Sequence, residues 1–305
     1  NMARHRAFLA TLALPSSFSF HLGALPNPIV FGTRLCQYGS GMDQNAMMES
    51  DMLIVVDEND IVQNDVVVSK REAHQFSSDS PRGLLHRAFS FFLFNKKNEM
   101  LLTRRADSKI TFPGVWTNTA CSHPLHGMVP DEVDDVPAAY PVFPRTKFAV
   151  TRKLKQELGI DPADIPHEKI VFVSRFHYWA ADTLSYDLNT PWGEHEVDYI
   201  FFIQLDEEPE LDLNPDEVAE YKYVSASGLK SMFDDPSLKW SPWFKGIMER
   251  GGFEWWEDLE GTLQGKHTKE DVEFFDPPKD HYASYNLPSH DRVTGVHSAG
   301  RVKAD

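Results

Sequence analysis

Short apolar runs alternate with polar, turn-rich breaks along this chain, and the period of the runs predicts its elements. Met52–Asp57 is apolar and β-branched, Asp57–Asp60 reads as a turn, and Ile61–Val68 follows, so a hairpin is expected. His86–Phe94 alternates and is dense in Phe. Asn95–Asn98 is a turn signal, and Met100–Arg105 is its partner strand. Trp116–Cys121 is another extended candidate, and the polar, Pro-interrupted stretch His126–Thr146 reads as a long surface loop. In Phe148–Leu158 the apolar residues Phe148, Val150, Leu154 and Leu158 fall at helical spacing, and Gly159 stands where a C-terminal cap belongs. Val171–Trp179, Val197–Leu205 and Tyr221–Ser225 read as strands; Leu229–Phe233, Trp243–Arg250 and Phe253–Leu263 read as helices. There is no internal repeat. Strands mixed with a few helices, without steady βαβ alternation, predict an α/β domain built on a mixed sheet.

The two ends break this pattern. Residues 1–42 contain no Asp or Glu, carry Arg4, Arg6 and Arg34, and are rich in Ala, Leu, Ser and Phe. Residues 1–45 therefore read as a targeting segment. The short apolar run Ala7–Leu14 suits a secretory leader, while the Ser-Phe mixture after it suits an organellar transit peptide. An organelle, a plastid, is the expectation, because a reactive thiol would be at risk in an oxidising lumen; the cytoplasm is the alternative. One compact domain is expected over residues 46–275, and 276–305, with little periodicity, reads as a mobile C-terminal tail.

Composition narrows the function. The 305 residues are 41% hydrophobic and 12% aromatic, enough to bury a full core. No stretch approaches the run of roughly 18 apolar residues that a membrane helix needs, so no membrane partner is expected. The formal net charge of −16 argues against nucleic acid, whose phosphates demand a basic surface. With 1–42 and the residues after Asp276 set aside, the middle carries 23 basic and 43 acidic side chains. An anionic substrate handled there would need local basic groups or metal ions. Two cysteines, Cys36 and Cys121, make no disulfide framework.

Some residues could carry chemistry. Glu194 and Glu196 in Glu-His-Glu enter a strand two residues apart, so both carboxylates face one way, although a solvated strand edge explains an isolated pair as well. Cys121 and His123 have the same spacing in an extended segment. His86 stands at the mouth of the Phe-rich strand, where a satisfied core histidine is the plainer reading, and His74 reads as a surface residue. Arg152-Lys153-Leu154-Lys155-Gln156-Glu157-Leu158-Gly159-Ile160 resembles the second half of the Nudix signature, R-E-U-x-E-E-x-G-U with U aliphatic. Lys153 and Gln156 replace two of its glutamates. The glycine and glutamate of the first half should fall near Ala138 and Pro144. The scaffold is suggested and the hydrolytic metal cluster is broken.

Longer blocks then match one family in order. Gly83–Ser90 with Phe92–Asn95, Arg104–Lys109, Phe112-Pro113-Gly114 and Trp116–Leu125 with its Cys-Ser-His-Pro core resemble the type I isopentenyl-diphosphate delta-isomerases. So do Trp192–Tyr199 and Ser241–Phe244, and the likeness covers Met52 to Trp256. The resemblance implies a Nudix-like mixed sheet sandwiched between helices. It also implies one divalent metal (Mg, Mn or Zn) on His74, His86, His123, Glu194 and Glu196, and a second Mg²⁺ between Glu157 and the substrate diphosphate. Lys70, Arg105, Lys109, Ser122 and Lys153 would bind that diphosphate, and Trp243 would face the hydrocarbon. Glu196, assisted by Tyr178, would stand on the acid side of an allylic proton shift with Cys121 as its partner. The expected partner is a small isoprenoid diphosphate, acted on by a monomer. Two rivals are a Nudix hydrolase cleaving a diphosphate and a non-catalytic metal-dependent binding module.

Overall fold

The computed structural model describes residues 43–286. The expectations for the leader, including Cys36, and for residues 287–305 lie outside the described residues.

The described chain opens with α1 (Gln44–Ser50), the hairpin β1 (Met52–Val56) and β2 (Val62–Ser69), and a short helix α2 (Lys70–His74). Next come β3 (His86–Phe94), β4 (Met100–Arg105), β5 (Trp116–Thr117), β6 (Ala120–Ser122) and α3 (Thr146–Leu158). β7 (Val171–Ala181), α4 (Thr183–Tyr186), β8 (Gly193–Gln204) and β9 (Val218–Val224) follow. The chain then runs through α5 (Ala226–Phe233), α6 (Pro242–Ile247), α7 (Phe253–Glu257), α8 (Leu259–Leu263) and β10 (Val272–Phe275). Among the described residues ten strands join one mixed sheet. Its main path is β10-β7-β8-β3-β1-β2, with β4, β5, β6 and β9 branching from it. The β3–β8 and β10–β7 pairs are parallel. No described helix is long and apolar enough to cross a membrane.

The density of Phe in β3 has a simple cause. Every one of its nine residues is buried, because helices cover both faces of the sheet. Phe92 and Phe94 pack with Phe202, Trp243, Phe244 and Trp255 on the face under α6 to α8. Phe89, Phe91 and Leu93 pack with Tyr199, Phe201, Val150 and Leu154 on the face under α3. Alternation along β3 therefore sorts residues between two apolar layers rather than between core and water. Each Phe so buried contributes about 1.5–3 kcal/mol. At the end of α3, Gly159 takes φ 73°, and a Cβ there would lie 2.6 Å from the Asp212 carbonyl oxygen, so the cap requires glycine.

The structure differs from the pattern reading at several places. The Trp116–Cys121 stretch is broken into two short strands, because Asn118 and Thr119 turn their side chains into the strand ends they join. Asn118 Nδ2 donates to Ala120 O at 2.8 Å, and Thr119 Oγ1 donates to Leu101 O at 2.7 Å. β8 starts four residues before its apolar run, since Ala181 still pairs with Gly193. α2 was invisible as a helix because five residues carry no period; a capping box between Ser69 and Glu72 starts it. Residues 276–286, read from the sequence as part of a tail, are anchored to the domain. Trp179 Nε1 donates to Asp276 Oδ1 at 2.8 Å, Tyr282 meets Trp179 edge to face at 4.8 Å, and Asn286 Nδ2 donates to Pro81 O at 2.6 Å. These are single anchoring contacts, which leave no periodic trace.

The turn read at Asp57–Asp60 ends in a residue with a larger task. Asp60 is 0% exposed and has φ 65°. Its carboxylate accepts hydrogen bonds from Arg87 Nε at 2.8 Å, Arg175 Nη1 at 2.7 Å and the Tyr199 hydroxyl. It is the shared counter-ion of two buried arginines, and it pins the hairpin turn to β3, β7 and β8. Asp60→Ala leaves both guanidinium groups uncompensated and is expected to cost about 3–5 kcal/mol. The measurement is the urea midpoint; a loss under about 1 kcal/mol would show that the network is not the anchor described here.

Candidate active site

Strand register assembles the site. Glu194 and Glu196 share the face of β8 that further along carries Ile200 and Phe202, the face turned to α6–α8. β3 lies in register with β8 so that His86 is paired with Glu196, and β7 places Tyr178 beside Glu196 from the other side. β6 pairs with β3 and sets Cys121 opposite Ser90. His123 follows β6 directly. Its carbonyl accepts from Arg152 Nη2 at 3.0 Å, while Arg152 Nε and Nη2 also grip Glu132 at 2.7 and 2.8 Å. The signature arginine of α3 thus fixes the loop that carries His123. α2 brings His74 from the hairpin side.

His74, His86, His123, Glu194 and Glu196 are all buried, and their ligand atoms lie within 4.8 Å of one another. His74 Nδ1 is 2.7 Å from Lys70 O, and His86 Nδ1 is 2.8 Å from Leu84 O. A carbonyl only accepts, so each Nδ1 carries the proton and each Nε2 presents a lone pair. His74 Nε2 lies 2.7 Å from Glu194 Oε2, and neither atom has a hydrogen-bond partner; His86 Nε2 is likewise unpartnered. His123 Nε2 is 2.9 Å from Glu196 Oε1. Burial pushes the His74 and His123 imidazoles toward the neutral form. Burial pushes the Glu194 carboxyl up, the neighbouring His74 and His123 pull it down, and the net shift is downward. Lone pairs aimed at one another in a buried space, with two anionic charges, fit a divalent cation. The five residues form a group compatible with one such metal.

Next to this group lies an open, largely polar cleft. Tyr178 and Cys121 line it with Glu194, Glu196, Ser122 and Trp243. Tyr178 donates its hydroxyl to Glu196 Oε2 at 2.5 Å, and burial followed by the charge of Glu196 holds that hydroxyl protonated. Burial also pushes the Cys121 thiol up to about 12, opposed by Arg105, whose Nη1 is 4.0 Å from Sγ. Cys121 is the single cysteine among the described residues, and it is a free thiol. Trp243 stands edge-on to Phe112 at 5.3 Å, with Arg105 5.7 Å from its ring centre.

Lys70, Arg105, Lys109 and Lys153 line the same cleft, with Glu157. Arg105 is aimed by two carbonyls, Phe112 O at 2.9 Å and Thr111 O at 2.7 Å. Lys153 Nζ lies 3.0 Å from Glu157 Oε1. Every candidate named from the sequence falls either in this cleft or in the metal-compatible group beneath it. His74, read as a surface residue when taken alone, is fully buried, because α2 folds back against β8. Sequence reasoning missed Asp198, Ser90 and Glu217. Asp198 extends the Glu194, Glu196 alternation by one more step, and that was a usable signal. It accepts from Ser90 Oγ at 2.7 Å, and burial, then the charge of Glu196, push its carboxyl well above the usual carboxylate range. Glu217 gave no signal, since Asn214–Glu217 reads only as a turn.

Residues 84–244 match the NUDIX domain family. The chain is 44% identical over 232 residues to an isopentenyl-diphosphate delta-isomerase of Schizosaccharomyces pombe, covering 74% of this chain and 92% of that one. It is 38% identical over 265 residues to isopentenyl-diphosphate Delta-isomerase I of Clarkia breweri, covering 84% and 85%. It is 40% identical over 280 residues to the chloroplastic isopentenyl-diphosphate Delta-isomerase II of Arabidopsis thaliana, covering 84% and 91%.

A divalent ion held by the five buried ligands should stabilise the fold by about 4 kcal/mol at a thousandfold excess over its Kd. Chelation followed by stepwise return of Zn²⁺, Mn²⁺ or Mg²⁺ should therefore raise the thermal midpoint, and His74→Ala should remove that rise. The same rise in His74→Ala as in the unaltered chain would place the ion elsewhere.

Proposed function

Since the chain belongs to the isopentenyl-diphosphate delta-isomerase family, built on the Nudix fold, and interconverts isopentenyl and dimethylallyl diphosphate, we propose that Glu196 with Tyr178 and Cys121 form its proton-transfer couple. The reaction adds a proton to the terminal alkene carbon, which leaves positive charge on the tertiary carbon. Loss of a proton from the neighbouring methylene then closes the new double bond. One enzyme group gives up a proton and another receives one, so two groups on different sides of the substrate are needed. Glu196 on β8 and Cys121 on β6 come from strands that flank β3. The observation that carries the reading is the Tyr178 hydroxyl donating to Glu196 Oε2 in the cleft that also exposes Cys121.

On this reading Glu196 and Tyr178 hold the donor side. Tyr178 occupies Oε2 of Glu196 and fixes its direction, while Oε1 faces His123 Nε2 within the metal-compatible group. His74, His86, His123, Glu194 and Glu196 would hold a divalent metal, whose positive charge would tune the acidity of Glu196, and the imidazoles favour Zn²⁺ or Mn²⁺ over Mg²⁺. In that direction Cys121 must start as the thiolate, which burial disfavours and Arg105 beside it favours, and it ends the turnover as the thiol. The couple must then restore its protons before it acts again in the same direction. Trp243 offers a ring face to the cation, worth about 2 kcal/mol when water is excluded. Its packing on Phe112 and the apolar layer under α6–α8 excludes that water.

Lys70, Arg105, Lys109, Lys153 and Ser122 line the cleft and would bind the diphosphate, and Glu157 would offer hard oxygen to a second ion, Mg²⁺. A plastid address fits the acid-free, Arg-bearing first 42 residues and the chloroplastic Arabidopsis relative. The hydrolase rival is disfavoured by α3, where Lys153 pairs with Glu157 in place of a second carboxylate.

Proton NMR of isopentenyl diphosphate with the enzyme in D₂O should show dimethylallyl methyl signals with deuterium entering the allylic positions. Cys121→Ala and Glu196→Gln should each lower kcat by about 10²–10⁴-fold; near-full activity in either removes that residue from the couple. Burial also pulls the Lys109 ammonium down to about 8 against the attraction of Glu217. Below that pH the group is charged and binds the anion, and above it the charge is lost. KM should therefore climb from about pH 8 upward, and Lys109→Arg, whose charge persists, should flatten the climb.

A further inference from the structure

Glu217 holds no ligand or proton in the scheme above, yet its carboxylate sits among the cations of the cleft. It is the last residue before β9 and is 3% exposed. Lys109 Nζ donates to its Oε2 at 2.5 Å, and Gln156 Nε2 and Gln44 Nε2 each donate to its Oε1 at 3.3 Å. Gln156 Oε1 in turn accepts from Lys153 Nζ at 3.1 Å. A chain of contacts therefore runs Lys153–Gln156–Glu217–Lys109. The backbone of Glu217 is fixed as well: its N–H donates to Asn214 O at 3.0 Å, and its carbonyl accepts from Ala106 N at 2.9 Å. Asn214 N donates to Glu157 O at 2.9 Å. One residue thereby joins α1, the loop after β4 and the last turn of α3.

We propose that Glu217 is a positioning residue for the diphosphate, holding Lys109 directly and Lys153 through Gln156 so that the anion meets cations already in place. The proposal rests on the assignment of Lys109 and Lys153 to diphosphate binding. It also gives a task to Gln156, which stands where the Nudix signature has a glutamate: an amide can accept from Lys153 and donate to Glu217 at once, and a carboxylate cannot.

Two effects of opposite sign are at stake. A carboxylate near a diphosphate repels it, so charge alone says that removing Glu217 tightens binding. The geometry says otherwise. The Lys109 side chain is 8% exposed, and Glu217 is the acceptor its ammonium has among the described residues. Without that acceptor the ammonium is an uncompensated buried charge, which either releases its proton or turns out of the cleft. Burial pushes the Glu217 carboxyl up, but Lys109 and Lys153 outweigh it and hold the group far below the usual carboxylate range.

The test is calorimetric titration of the full chain with inorganic diphosphate, together with steady-state kinetics, for the unaltered protein, Glu217→Gln and Lys109→Met. In Glu217→Gln both the diphosphate Kd and KM should rise about tenfold or more, with kcat within about twofold of its starting value. Lys109→Met should show a similar rise in Kd. Unchanged or tighter binding in Glu217→Gln, with Lys109→Met weakened, overturns the positioning role and leaves the cation assignment standing. Unchanged binding in Lys109→Met overturns the cation assignment, and the role of Glu217 falls with it. A merely structural glutamate would lower the thermal midpoint without moving Kd. If Glu217→Gln does not fold, Glu217→Asp keeps the charge one methylene short and should still weaken binding by about threefold.

Discussion

Burying two carboxylates against three imidazoles is the constraint on which the rest of this site depends. Ionised groups taken out of water are costly unless each finds a compensating charge or hydrogen bond. Here the compensation is built partly from backbone. The Lys70 and Leu84 carbonyls take the Nδ1 protons of His74 and His86, which turns both Nε2 lone pairs inward. Tyr178 caps one oxygen of Glu196. The residual charge of two carboxylates is compatible with a divalent cation, and the same arrangement orients Glu196 over the cleft. Architecture follows from that need. β3, β7 and β8 must keep their register, since a slip of one residue would turn Glu194 and Glu196 to the α3 face.

The register itself is anchored far from the chemistry. Asp60, on a hairpin turn, compensates Arg87 on β3 and Arg175 on β7, and accepts from Tyr199 on β8. The three strands that carry His86, Tyr178 and Glu196 are thus tied together on their opposite face by one carboxylate. Buried polar networks of this sort specify a unique arrangement more than they add stability. In this chain the arrangement being specified is the alignment of the site residues.

What the sequence made legible follows the range of the signal. β1 to β4, α3 with its glycine cap, and β7 were readable because period and turn chemistry act over a few residues. The paired spacings Glu194/Glu196 and Cys121/His123 were readable for the same reason. α2 and β10 were not, since five and four residues carry too little period, and both are held by neighbours distant in sequence. His74 looked like a surface residue because its burial comes from α2 folding onto β8, a tertiary fact. Asp60 looked like an ordinary turn aspartate, because its partners lie 27, 115 and 139 residues away. Family blocks supplied what period could not, by joining His74, Lys70 and Trp243 to the rest.

The departures from the Nudix signature on α3 explain why this scaffold performs a proton shift. A hydrolase of this fold uses a glutamate-rich helix to gather metal around a diphosphate. Here Lys153 stands in that row and pairs with Glu157, while Gln156 links it to Glu217. The helix therefore presents one cation, Lys153, and one carboxylate, Glu157, to the cleft, which suits holding a diphosphate rather than activating water against it. The metal-compatible group lies instead at the strand end, where His86, Glu194 and Glu196 meet His74 and His123 beside the apolar layer of Trp243 and Phe112. On the proposed reading, anchoring the anion at one end and excluding water at the other would let a carbocation form without being hydrated. The charge pattern of one helix and the apolar packing across the sheet are two halves of that separation.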